Sequence, residues 1–78
     1  MRATVKLPKL GDTANEVVVI EWHVEVGARV TEGDSLLTVQ TDKVDVDVPS
    51  PTSGTVVEHL VKPDEVVAVG APIAILDH

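Results

Sequence analysis

Cysteine is absent from the 78 residues, phenylalanine and tyrosine are absent too, and Trp22 is the only aromatic side chain. Without thiols there is no disulfide, no thiolate metal site and no cysteine nucleophile, so a small core must hold together without covalent staples. A single aromatic ring offers no platform for stacking nucleic-acid bases. Positive charge is also scarce: six Lys+Arg face thirteen Asp+Glu, a formal net charge of -7. Such a surface repels phosphate, and no nucleic-acid partner is expected. Apolar runs stop at four residues, as in Val17 to Ile20, far short of a membrane span, so no membrane is expected. Met1-Arg2-Ala3-Thr4 leads into a strand pattern and not a leader segment, which points to a bacterial cytoplasm over a mitochondrial matrix.

Apolar residues make up 44% and charged residues 24%, the proportions of a chain that folds. Its length suits one domain spanning 1–78. Val, Ile and Thr together supply 27 residues, against 7 for Leu and Met, and β-branched side chains favour pleated strands over helices. Gly and Pro recur from Pro8 to Pro72 at spacings that leave no room for a capped helix of ordinary length. Strands are expected at 3–8, 17–23, 29–31, 35–41, 44–49, 54–61, 66–68 and 72–77. The class is all-β, and eight short strands suggest a sandwich or flattened barrel.

Sliding the sequence by 37 residues sets Val19 on Val56, Glu21 on Glu58, Val24 on Val61, Val30 on Val67 and Gly33 on Gly70. Identities that fall on strands and turn glycines indicate an internal duplication and a two-fold pseudosymmetry. Towards the N-terminus an offset of 41 matches Val5-Lys6-Leu7-Pro8 to Val46-Asp47-Val48-Pro49. On that alignment the first half carries about four extra residues, within Lys9 to Asn15. Strand 35–41 turns tightly into 44–49, and its mates are the strands 72–77 and 3–8. Both chain ends should therefore meet at the pole opposite that turn.

With Asp42-Lys43 as a two-residue loop, the cross-strand pairs are Thr41/Val44, Gln40/Asp45, Val39/Val46, Thr38/Asp47 and Leu37/Val48. Apolar residues then share one face and polar residues the other, while a slip by one residue would bury aspartates. The register puts Lys43 at the tip. Asp42-Lys43 lacks the glycine that a type I′ turn prefers, which favours type I geometry. A lysine at a turn is ordinarily a solvated surface group, so position alone makes no site.

Thr41-Asp42-Lys43-Val44, preceded by Gly33 and followed by Val48-Pro49-Ser50-Pro51 and Gly54, resembles the lipoyl-lysine hairpin of the lipoyl domains of 2-oxo acid dehydrogenase complexes. Leu7-Pro8-Lys9-Leu10-Gly11-Asp12 with Glu16 resembles that family's opening strand and loop, and Trp22 stands where the family commonly has tryptophan. The chain departs from the pattern at Val17, where Gly or Ala is common, at Ala28, where Asp is usual, and at Asp64-Glu65, which replaces a glycine turn.

The resemblance implies a flattened β-barrel or sandwich of two four-stranded antiparallel sheets with two-fold pseudosymmetry, and lipoate amide-linked to Lys43, with Thr41, Asp42 and Val44 as flanks of the attachment motif. It implies a carrier without catalytic residues of its own, monomeric, belonging to a dihydrolipoamide acyltransferase. Its partners would be a lipoate ligase or lipoyl transferase, a thiamine-dependent 2-oxo acid decarboxylase, an acyltransferase catalytic domain and dihydrolipoyl dehydrogenase. The cofactor would carry the chemistry and the protein would present it. Gly11, Asp12, Thr13, Ala14, Asn15 and Glu16 form a candidate recognition loop for the decarboxylase. Asp42, Asp45 and Asp47 are either the solvated side of a hairpin or part of a recognised surface.

Two other readings stay open. A biotinyl carrier has the same hairpin, normally with methionines beside the lysine, where Asp42 and Val44 stand here. An unmodified β-module would bind a partner through its acidic face. His23, His59 and His78 have no spacing that places two metal ligands on one face. Ser35, Ser50 and Ser53 lack a nucleophile context, and Trp22 is expected in packing.

Overall fold

Short valine-rich segments in which buried and exposed positions alternate, separated by Gly and Pro, give eight strands. The structure, a computed structural model, describes residues 1–8, 15–41 and 44–78. The strands are β1 (Arg2–Lys6), β2 (Glu16–Trp22), β3 (Arg29–Val30), β4 (Ser35–Gln40), β5 (Asp45–Pro49), β6 (Gly54–His59), β7 (Val66–Ala68) and β8 (Pro72–Asp77). All eight lie within two residues, at each end, of the spans expected from the sequence.

Two four-stranded antiparallel sheets form, with orders β1-β8-β6-β3 and β5-β4-β2-β7. No strand pairing links them among the described residues, so the architecture is an open sandwich and not a closed barrel. Val5, Val56 and Leu76 from the first sheet meet Val19, Leu36 and Val39 from the second in a core that is almost wholly withdrawn from water. At about 25 cal/mol per Å² of buried apolar surface, this core is what offsets the chain entropy of so short a protein.

The two sheets are pseudosymmetric copies. A shift of 37 residues carries β2, β3 and β4 onto β6, β7 and β8. It also carries the irregularity between Val19 and Glu21 onto the one between Val56 and Glu58. Val19 receives the Asp64 N–H and donates to the Glu65 carbonyl; Val56 does the same with Gly27 and Ala28. Trp22 and His59, also 37 apart, stack face to face, with ring centroids at 3.8 Å and planes within 6°. Residues related by a two-fold that touch each other must lie on its axis, so this stack marks the axis.

For β1 the offset read from the sequence needs correction. Val5 stands opposite Ala74 and Val48 opposite Leu37, and Leu37 and Ala74 are symmetry mates. Val5 therefore corresponds to Val48 and not to Val46, an offset of 43 in place of 41. Leu7 then matches Ser50, and both are buried; Pro8 matches Pro51. The first half carries six extra residues, not four. A strand slipped by two keeps every side chain on its proper face, so hydrophobic alternation could not detect the error.

The chain ends meet as expected. His78 N–H donates to the Met1 carbonyl at 2.7 Å, and the Met1 ammonium donates to the His78 carbonyl at 2.6 Å and to Asp77 Oδ1 at 3.3 Å. These residues are the mates of Thr41 and Val44, which close the β4–β5 hairpin. A two-fold places mates on opposite sides of its axis, so hairpin and termini occupy opposite poles of a molecule 33 Å long.

Candidate functional site

The β4–β5 hairpin has the expected register: Gln40 opposite Asp45, Val39 opposite Val46, Thr38 opposite Asp47 and Leu37 opposite Val48. Leu37, Val39 and Val48 are fully buried and Val46 packs against the same core, while Gln40, Asp45 and Asp47 face solvent. One more pair closes the ladder. Thr41 N–H donates to the Val44 carbonyl at 2.9 Å, and the Thr41 hydroxyl donates to the same oxygen at 3.0 Å. Two residues, Asp42 and Lys43, separate Thr41 from Val44. Both lie outside the described residues, as does the expected turn type.

What carries that apex is firm. β4 is an inner strand, bonded by β2 on its other edge as far as Val18 opposite Gln40. Beneath the tip, the Thr38 hydroxyl donates to Asp47 Oδ1 at 2.8 Å. Having given its only proton, Thr38 Oγ1 accepts from His23 Nε2 at 2.6 Å, which sets the imidazole with a proton on Nε2. The same nitrogen lies 3.9 Å from Asp47. This polar chain ties the end of β2 to both strands of the hairpin, and as exposed pairs its links contribute only about 0.5 kcal/mol each. The sequence reading had set His23 aside; residues far apart in the chain that meet through register leave no spacing signal.

Of the candidate recognition loop, Gly11 to Ala14 lie outside the described residues, whereas Asn15 and Glu16 are placed. The Asn15 carbonyl accepts the Val69 N–H and the Leu7 carbonyl accepts the Gly70 N–H, each at 2.9 Å. Both flanks of the segment are thus clamped to one β7–β8 turn. Val18 pairs with Gln40, so Glu16, two residues earlier on an antiparallel strand, enters the sheet at the end where Thr41 and Val44 close the hairpin. The flanks of the loop and the hairpin share one pole. Trp22 packs: its indole N–H donates to the Val61 carbonyl at 3.0 Å while its ring lies on His59. Ser50 is structural, buried and donating to the Thr52 carbonyl at 2.6 Å.

A family model described as biotin-requiring enzyme, Biotin_lipoyl, matches residues 3–76. The chain belongs to the biotin/lipoyl family. Over 70 residues it is 46% identical to a Corynebacterium glutamicum protein named dihydrolipoyllysine-residue acetyltransferase component of pyruvate dehydrogenase complex, covering 90% of this chain and 10% of that protein. Over 73 residues it is 40% identical to a Pseudomonas aeruginosa lipoamide acyltransferase component of branched-chain alpha-keto acid dehydrogenase complex, covering 94% of this chain and 17% of that protein. The chain thus spans between a tenth and about a sixth of these relatives' length. The lipoyl domain of the 2-oxoglutarate dehydrogenase complex from Azotobacter vinelandii superposes with a TM-score of 0.75 over 96% of this chain and 95% of that one, at 23% identity. A single-chain, multi-domain long-chain acyl-CoA carboxylase superposes with a TM-score of 0.77 over 95% of this chain and 7% of that one, at 22% identity. At such identities the last two speak for the fold alone.

Proposed function

We propose that residues 1–78 form one lipoyl carrier domain, with lipoate joined through an amide to the Nζ of Lys43. The observation that carries this reading is the closure of the β4–β5 ladder at Thr41/Val44, which leaves an apex of two residues, one of them a primary amine. The site suits an attached acid: amide formation needs an amine that an enzyme can reach, and the ladder closing at Thr41 and Val44 fixes the two ends of the turn that holds Lys43. Relatives 39–46% identical are named for dihydrolipoyllysine or lipoamide, which favours lipoate over biotin, as do Asp42 and Val44 where methionines would flank a biotinyl lysine.

Once attached, lipoate supplies a disulfide that accepts an acyl group and a pair of electrons. The chain's own residues hold and separate. Leu37, Val39 and Val48 fix the register, Thr41 closes the ladder, and the pairing of β4 with β2 keeps the hairpin from swinging. Placement of the termini at the other pole keeps flanking chain away from the arm, so that tethering raises its effective concentration at each site it visits. The domain has no catalytic role and serves as a part of an acyltransferase component. Its partners are a lipoate ligase or lipoyl transferase, a thiamine-dependent 2-oxo acid decarboxylase, the acyltransferase catalytic domain and dihydrolipoyl dehydrogenase. The bacterial origin of the relatives supports a bacterial cytoplasm as the setting.

Intact mass after co-expression with a lipoate ligase tests the assignment. One lipoyl increment, lost in Lys43→Arg, is the expected result. A biotin increment would move the chain to the biotinyl carriers, and an unmodified mass would leave a β-module without a cofactor.

A further inference from the structure

Because the two sheets are copies, each outer face is a control for the other. Any charge or exposed apolar group that the fold itself requires should recur at its mate. It does not recur. The strands of the hairpin-bearing sheet carry Glu16, Glu21, Asp45 and Asp47 and no lysine or arginine; those of the other sheet carry Arg2, Lys6 and Arg29 against Glu58 and Asp77.

The contrast is sharpest along one cross-strand row. On the hairpin sheet the row runs Val66, Val18, Gln40, Asp45, each opposite the next. Its mate on the other sheet runs Arg29, Thr55, Asp77, Arg2. An apolar end leading to an acid thus replaces a row with a cation at each end. Val66 is 58% exposed and Ile20, on the bulge of β2, is 39% exposed, while Val18 beside them is half-buried. Identical backbone geometry tolerates arginine and threonine at the mates of Val66 and Val18, so stability of the fold does not explain valine there.

We propose that the outer face of β7, β2, β4 and β5 is the docking surface for the enzyme that forms the amide at Lys43. That enzyme would seat an apolar patch on Val18, Val66 and Ile20 and set lysine or arginine side chains against Asp45 and Asp47. This rests on the carrier reading above and names the partner of that site. The attaching enzyme is chosen over those that act at the far end of the arm because its reacting atom is the lysine Nζ, one side chain away from the hairpin. It must therefore touch what lies beside the hairpin, and this face begins at β5. An acidic rim draws in a basic partner and an apolar centre holds it.

The test grafts the control face onto the docking face: Val18→Thr with Val66→Arg, and separately Asp45→Arg. Each new residue already stands at the symmetry mate, so the thermal midpoint should hold. With the 78-residue chain as substrate for an ATP-dependent lipoate ligase, each graft should lower kcat/KM about tenfold, chiefly through KM, which is the loss of one anchoring contact. Arg29→Val on the opposite face should leave the rate unchanged. Raising salt from about 0.05 to about 0.5 M should slow the unsubstituted chain more than the Asp45→Arg variant. If the double graft unfolds, Val66→Arg alone, on an edge strand, gives the same reading. Grafts that are lipoylated within twofold of the unsubstituted rate overturn the proposal, as does a defect confined to reductive acylation, which would place the contact with the decarboxylase. If the unsubstituted chain takes up no lipoate at all, the carrier reading falls with it.

Discussion

Replacing His59 by phenylalanine should stabilise the protein, against the usual sign of a core substitution. The ring of His59 lies flat on Trp22 at 3.8 Å, yet its Nε2 is buried with no hydrogen-bond partner among the described residues. An unsatisfied buried polar atom costs about 1–3 kcal/mol. Phenylalanine keeps the ring and removes the nitrogen, while the face-to-face geometry is less favourable for two like quadrupoles and gives back some of that gain. The net expectation is about 1 kcal/mol, or about 5 °C in midpoint for a domain of this size. His59→Ala has the opposite sign: it forfeits the stack and opens a cavity at the axis, at a cost of about 2 kcal/mol. Trp22 is the only aromatic, so its fluorescence reports on the stack and on global unfolding together. Urea titrations of the three proteins, with m values compared, decide the matter. A lower midpoint for His59→Phe at unchanged m would refute the reasoning, because it would mean that Nε2 holds a partner such as a buried water.

Two further substitutions test close backbone geometry, the second of them by comparison with its symmetry mate. A Cβ on Gly54 would meet the Asp77 carbonyl oxygen at 2.8 Å, so Gly54→Ala must push β6 from β8; a loss of about 1–3 kcal/mol in urea is expected, and an unchanged midpoint would show that the strands yield freely. Asp64 has a φ of 70° where its mate Gly27 has 95°. Left-handed backbone strains a residue with a Cβ, so Asp64→Gly should gain about 0.5 kcal/mol after its own entropy cost is met, and a measured loss in the urea midpoint would contradict this.

Much of the fold was legible because it rests on local patterns. Alternation, breakers and β-branched residues locate the eight strands, and the mismatch of a one-residue slip fixes the hairpin register at Val39/Val46. The repeat was legible where turn glycines index it, at Gly33 and Gly70, which share φ values of 92° and 90°. Towards β1 no such index exists. Val5-x-Leu7-Pro8 fits Val46-x-Val48-Pro49 as well as the true Val48-x-Ser50-Pro51, since both keep the valine inward; only the ladder partners Ala74 and Leu37 decide. The contacts that cross the axis were not legible. Trp22 and His59 are chemically unlike, so a comparison that counts identities passes over them, although the 37-residue repeat already made them mates.

The candidate site divides along the same line. The closure of the hairpin at Thr41 and Val44 could be read because hairpin geometry is a local matter, and the register at Val39/Val46 runs on to that pair; Lys43 itself lies outside the described residues. The face beside it could not, because it is assembled from four strands whose order, β5-β4-β2-β7, is non-sequential. Val66 and Asp45 are ends of one row, yet the twenty residues between them finish β5, cross to the opposite sheet as β6 and return. A surface of this kind becomes visible only with the sheet order in hand. It becomes interpretable only because duplication has supplied, in Arg29 and Arg2, the side chains that the same positions hold when no hairpin stands beside them.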